Sequence, residues 1–238
     1  VEGAQVGEAP EISVVIMAFN EVENLEEAVA EISGTLEHIP GQHEILIVDD
    51  GSNDGTGELA DRLSTRHPIL RVIHHPENRG LGGAYRTGFT QARGQHVIFY
   101  PADRQFPARF IPTFHQHMRH ADMVLGVRPG RRESWTGEIL SVGERLLYRI
   151  LLGPMPRFHG LVMFRRSLLQ TVPLESRGRG WAIMMEFILR VDRAGYRLAH
   201  IPIEIRPRAH GESKVNNLPT IWANLKQMVT LRQTLRKR

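Results

Sequence analysis

The sequence predicts an α/β domain, a mainly parallel sheet with helices on both faces. Three observations carry this expectation. Short apolar runs rich in β-branched residues recur at 12–19, 44–48, 70–74 and 96–100. Segments with helical periodicity lie between them, and the connecting loops are short and polar. Runs that stay apolar throughout, without alternation, belong to strands covered on both faces.

The elements follow in order. ISVVIMAF (12–19) is a buried strand, and Asn20 is placed to cap a helix over 21–36. Leu25, Ala28, Val29 and Ile32 share one face of that helix, and acids occupy its first turn. EILIV (44–48) is a second strand, DDGSNDGT a polar turn, and a helix follows over 56–65. LRVIH (70–74) is the third strand, PENRGLGG a loop, 84–92 a helix and HVIFY (96–100) a fourth strand. In the second half a helix is expected at 108–119 and a strand at 123–127 (MVLGV), before a basic loop at 128–137. Residues 138–152 are amphipathic, with Ile139, Val142, Leu146 and Ile150 on one stripe. A helix at 180–194 and a strand at 197–205 come next. A last amphipathic helix places Leu218, Ile221, Trp222, Leu225, Met228, Val229 and Leu235 at helical spacing.

Composition narrows the function classes. Of the 238 residues 41% are apolar, enough for a sizeable core, which excludes a disordered chain. There is no cysteine, so disulfides, thiolate metal sites and cysteine nucleophiles are excluded, and an intracellular protein is the default expectation. The first residues lack the basic-then-apolar pattern of a secretory leader. No apolar run approaches the roughly 18 residues of a membrane-spanning helix. Residues 1–50 hold twelve acids and no Lys or Arg, while 214–238 hold six basic residues and no acid. That asymmetry suits phosphates, nucleic acid or an anionic membrane, or else a solvated basic surface. Against nucleic acid, there is no stacking-aromatic motif, helix-turn-helix pattern or zinc site.

In a parallel sheet the ligand sits at the carboxyl ends of the strands. Here those ends are Met17–Glu21, Asp49–Ser52, Glu77–Gly80 and Pro101–Gln105, and their convergence marks the site. Asp49 and Asp50 fit two roles, a carboxylate meeting a base or ribose, or an Asx turn bonding its own backbone. PADRQ (101–105) is either a cation-binding turn or a proline-initiated one. GLGGA (80–84) fails as a dinucleotide fingerprint, because Tyr85 stands where the third glycine is needed. RPRAHGESK (206–214) fits a phosphate-gripping loop or a solvated basic turn. The histidines lack metal-binding spacing, and His74–His75 and His115/His117 read as surface or satisfied side chains. Glu186, inside the apolar WAIMMEFIL, is either a paired core charge or a functional carboxylate.

Taken together, ISVVIMAFNE, VDDGSNDGT, ENRGLGGAYRTG, the Asp-containing turn, GLVMFRR and RAHGESK resemble a family 2 glycosyltransferase over roughly 11–214. Among members of that family the chain resembles the dolichyl- and polyprenyl-phosphate sugar transferases. The resemblance implies a GT-A fold, Rossmann-like in its sheet, and inverting transfer from a nucleotide-diphosphate sugar. It divides the chain into a tail (1–10), a GT-A domain (11–214; nucleotide-binding half 11–105, acceptor-side half 106–214) and a basic amphipathic helix (215–238). It places Ala18, Phe19, Asn20, Glu21 and Ser52 in the nucleotide pocket and Asp50 on the base. Asp103 and Gln105 would hold Mg²⁺ or Mn²⁺ on the donor diphosphate. Arg128 matches a basic position near the phosphates, Glu186 an acceptor-side carboxylate, and Arg208, Ser213 and Lys214 a loop closing on the site.

Two positions depart from the family pattern. Pro101 replaces the first Asp of Asp-x-Asp, and Pro156 replaces an Asp before the GLVMFRR segment. They motivate an alternative reading, a non-catalytic nucleotide-sugar-binding protein. The expected partners are the nucleotide-diphosphate sugar, a lipid-phosphate acceptor and an anionic membrane surface, without nucleic acid. The expected location is cytoplasmic and peripheral on that membrane face. The stripes at 138–152 and 218–235 fit a membrane surface, packing on the domain, or a homodimer interface.

Overall fold

The computed structural model describes residues 9–129, 152–207, 229–233 and 235. Its elements are β1 (Ile12–Ala18), α1 (Val22–Leu36), β2 (His43–Asp49), α2 (Thr56–Arg66), β3 (Leu70–His74), α3 (Leu81–Gln91) and β4 (His96–Pro101). Then come α4 (Phe110–His117), β5 (Met123–Val127), β6 (Val162–Arg165), α5 (Leu168–Thr171), α6 (Ala182–Arg193) and β7 (Leu198–Pro202). The stripe at 138–151 lies outside the described residues, as does all of 218–235 except 229–233, which are helical, and 235.

One seven-stranded sheet runs β3-β2-β1-β4-β6-β5-β7. The pairs β1–β2, β1–β4, β2–β3 and β5–β7 are parallel. β6 pairs antiparallel with both β4 and β5, so two reversals return β5 and β7 to the direction of β4. The carboxyl ends of six strands therefore share one edge. β6 escaped the sequence reading because four residues are too short for a pattern; VMFR stood out only as a motif.

The expected burial on both faces holds. Ile12, Val14, Ile16, Ile45, Ile47 and Ile98 pack with Leu25 and Val29 of α1, Leu59 of α2 and Phe114 of α4. Val15, Met17, Leu46, Val48 and Val97 face the other way, toward α3 and α6. There Phe89, Phe99, Phe164 and Phe187 meet largely edge to face, with Phe164 and Phe187 centroids 4.8 Å apart. Such pairs add specificity beyond the buried area.

GLGGA has a packing role. α3 starts at Leu81, three residues earlier than expected, with the glycines in its first turn. A Cβ on Gly82 would lie 2.2 Å from the Gly178 carbonyl oxygen, and the Gly82 N–H donates to Arg179 O at 2.7 Å. Only glycine lets the helix meet that backbone so closely.

At the opposite edge of the sheet His96 is 9% exposed, its ring 5.3 Å from that of His115. Burial lowers its pKa to about 4, helped by His115 and Arg165 and opposed by Glu11. The folded state thus keeps His96 neutral while the unfolded chain protonates it near 6.5. Stability is unaffected above that pH and falls as pH drops from 6.5 toward 4, by on the order of 3 kcal/mol. In a series of urea midpoints against pH, His96→Leu is expected to flatten this acid branch. An unchanged slope in the variant would refute the assignment.

Candidate functional site

The four segments expected to converge do so along one edge. Asp50 N donates to Ala18 O at 2.9 Å, Ala102 N to Met17 O at 3.0 Å, and His75 N to Asp49 O at 2.8 Å. Arg79 N donates to Asp50 Oδ1 at 2.9 Å.

Asn20 does not cap α1. It adopts a left-handed conformation (φ 53°), which asparagine tolerates, and the helix begins after Glu21. Its N–H donates to Ser52 Oγ at 3.0 Å, and its Oδ1 accepts from Asn53 N at 3.0 Å. The first-turn donors of α1 are satisfied from the neighbouring loop, Glu21 N by Thr56 Oγ1 and Val22 N by Asp54 Oδ2. Asp54 also accepts from Thr56 N and Oγ1. Burial pushes the Asp54 carboxyl up, but the bonds from Thr56 and Val22 outweigh it and hold it below its ordinary value. One loop thus sets residues 20–22 and the start of α2 together, so Ala18–Glu21 and Ser52 form a single wall.

The two adjacent acids have different partners. Asp49 makes the turn, Oδ1 accepting from Ser52 N at 3.1 Å while Oδ2 meets His74 Nδ1 at 2.9 Å. That bond raises the His74 pKa, burial opposes it, and Asp61 adds to it. Asp50 is 4% exposed, and its Oδ1 meets His75 Nδ1 at 2.6 Å. His75 Nε2 meets Thr87 Oγ1 at 2.7 Å. His75 is a satisfied histidine, as expected, but the sequence reading did not place it beside Asp50. The signal was register, since His74 pairs with Asp49 across the sheet and the next residue therefore falls beside Asp50.

Asp103 is 6% exposed in the turn after β4, with Oδ1 accepting from Gln105 N at 3.2 Å. Arg104 beside it has φ 59° and pairs with Glu27. Gln105 is half-buried, and its carbonyl accepts from Arg206 N at 2.8 Å. Arg206 also reaches Glu31 at 3.2 Å, and Glu31 accepts from Ala108 N at 3.1 Å. The segment after β7 is thus tied to the Asp103 turn. Arg208, Ser213 and Lys214, further along it, lie outside the described residues. Arg128 follows β5 on the same edge, its N–H donating to His159 Nδ1 at 3.2 Å.

Glu186 is a paired core charge, the first of its two sequence readings. It is 0% exposed. Oε1 and Oε2 each accept from Glu175 N at 3.1 Å, Oε2 from Ser176 N at 2.7 Å, and Oε1 from Arg190 Nε at 2.8 Å. It anchors one end of residues 175–181, while Gly82 and Arg86 hold the other through Arg179 O and Gly178 O. Arg179 Nη2 donates to Asn78 Oδ1 at 2.5 Å, so this cationic segment lies beside the 77–80 loop.

No cluster of three or more metal-ligating side chains occurs among the described residues. Asp103 still fits a hard cation, because Mg²⁺ is commonly held by one or two carboxylates, with substrate phosphates and water completing its shell. No helix among the described residues is long and apolar enough to cross a membrane.

Residues 13–172 match the family model described as Glycosyl transferase family 2. The chain is 30% identical over 230 residues to a dolichol-phosphate mannosyltransferase of Pyrococcus furiosus, covering 92% of this chain and 63% of that protein. It is 32% identical over 218 residues to an undecaprenyl-phosphate mannosyltransferase of Micrococcus luteus, covering 86% and 87%. It therefore spans just under two thirds of the first relative and most of the second. In structure it is similar to mannosyl-3-phosphoglycerate synthase from Rubrobacter xylanophilus, with TM-score 0.70, 21% identity and coverage of 95% and 75%. Glucosyl-3-phosphoglycerate synthase from Mycobacterium tuberculosis, in complex with Mn²⁺, UDP and glucosyl-3-phosphoglycerate, matches with TM-score 0.63, 24% identity and coverage of 92% and 80%. These likenesses establish the GT-A fold.

Proposed function

The chain belongs to glycosyl transferase family 2, and from that premise we propose that it moves a sugar from a nucleotide diphosphate to a polyprenyl phosphate with inversion. The observation that carries this reading is the placement of two buried carboxylates on one sheet edge. Asp50 follows β2 directly and Asp103 follows β4, with β1 between the two strands. The strands that carry them are two spacings, about 10 Å, apart, on the scale of a nucleoside diphosphate from base to phosphates. The names of the two relatives supply the acceptor class.

Asp50 meets the base, and the wall of Ala18, Phe19, Asn20, Glu21 and Ser52 shapes the nucleoside pocket. Asp103 and Gln105 hold Mg²⁺ or Mn²⁺, which when bound supplies positive charge at the leaving diphosphate. An acceptor phosphate oxygen bonds to the anomeric carbon from the face opposite the diphosphate, and the bond to the diphosphate oxygen breaks. The acceptor is already an anion, so no general base is required. The developing charge on the leaving group falls to Arg128, Arg208 and Lys214, with the Ser213 hydroxyl as a further donor. The six basic residues of 214–238 draw the chain to an anionic membrane that carries the acceptor.

The test is transfer of labelled hexose from UDP- and GDP-sugars to undecaprenyl phosphate in detergent micelles with Mn²⁺. The expected product extracts into organic solvent and releases its sugar in mild acid. Transfer only to a water-soluble acceptor such as phosphoglycerate would overturn the lipid reading.

A further inference from the structure

We propose that His75 makes the Asp50 carboxylate one-sided, so that the site selects a uracil nucleotide over a guanine nucleotide. The inference rests on the reading of Asp50 as the group that meets the base. Oδ1 of Asp50 already receives two bonds, one from His75 at 2.6 Å and one from Arg79 N at 2.9 Å. Among the described residues nothing donates to Oδ2. A carboxylate only accepts, so Nδ1 carries the ring proton. The ring is held from its far side by Thr87 at 2.7 Å, and its side chain is 3% exposed. It cannot turn away without stranding the buried Asp50 carboxylate and breaking its bond to the half-buried Thr87.

Guanine presents N1–H and an N2 proton side by side, and a carboxylate pairs with both only if both oxygens are available. Here a third donor at Oδ1 would have to share an oxygen already bonded twice. Uracil presents one N3–H between two carbonyl oxygens. It needs one acceptor, and the second carboxylate oxygen then faces a carbonyl. His75 and Arg79 N–H quench the charge on Oδ1 at that point, which relieves the repulsion.

The experiment is calorimetric titration of UDP and GDP, with Mn²⁺, into the wild type and into His75→Ala, His75→Asn and Asp50→Asn. Each variant is first checked by thermal melting. The wild type is expected to bind UDP about tenfold more tightly than GDP, the worth of one hydrogen bond to a charged group. His75→Ala frees Oδ1 and is expected to bring the ratio to within about threefold. His75→Asn retains a donor near the place of Nδ1 and keeps the ratio. If His75→Ala does not fold, Thr87→Val, which loosens the ring, is read in its place and lowers the ratio in part. A wild type that binds GDP as tightly as UDP overturns the selectivity. Equal weakening of both nucleotides in His75→Ala also overturns it, leaving His75 a support for the fold. Unchanged UDP affinity in Asp50→Asn is a different failure, because it removes the base from Asp50 altogether.

Discussion

Asp103→Ala is expected to cut sugar transfer about a thousandfold while the protein still folds, the scale of losing a charge-positioning group at a leaving phosphate. Asp103 lies in an irregular turn after β4, where its Oδ1 accepts from Gln105 N. The strand itself is held by the register with β1 and by Ala102 N bonding Met17 O, neither of which involves the side chain. Pro101, in place of the family's first Asp, leaves Asp103 as the carboxylate of this turn. The measurement is kcat with saturating donor, alongside a urea melt. A variant within threefold of wild-type kcat would show that Asp103 is not at the leaving group. Asp103→Asn keeps the bond from Gln105 N but loses the charge, and is expected to be nearly as inactive.

Glu186→Ala is expected to lower stability by about 3–5 kcal/mol, the cost of breaking a buried pair on one side. The variant removes the acceptor of the Glu175 and Ser176 N–H groups and of Arg190 Nε, leaving Arg190 only its Nη2 contact with Glu175 Oε1 at 3.2 Å. The 175–181 segment loses one of its two anchors, so the transfer rate falls as a secondary effect. Glu186→Gln separates this structural role from catalysis. Its amide keeps one acceptor but points a donor at backbone N–H groups, so it too is expected to be destabilised. A Glu186→Gln protein as stable as wild type but inactive would falsify the structural assignment and restore a catalytic carboxylate.

The strands were legible because burial on both faces leaves a continuous apolar run, and β1 to β5 fall within two residues of their expected bounds. α1, α2 and α6 followed from periodicity. Helix starts were less legible. Asn20 has the composition of a cap, yet the donors of α1 are satisfied by Thr56 and Asp54, more than thirty residues away. No local window contains that information. α3 begins at Leu81 because Gly82 lies against the 178–180 backbone and Gly83 against the Arg79 side chain, close approaches that override their poor helix propensity.

By itself the sequence determined the sheet class, the edge where the four strand-end loops converge, and the acids available there. Those depend on local apolar pattern and on the rule that loops at strand ends carry the chemistry. Only the tertiary structure decided what each acid does. Asp49 and Asp50 are adjacent and alike in sequence, but alternation across the pleat sends one to its own turn and the other to His75. Glu186 carried no sign in sequence that the Glu175 and Ser176 N–H groups would bond both of its oxygens. The physical reason is the same in each case. The role of a buried carboxylate is set by which donors reach its lone pairs, and those donors come from segments distant in the chain.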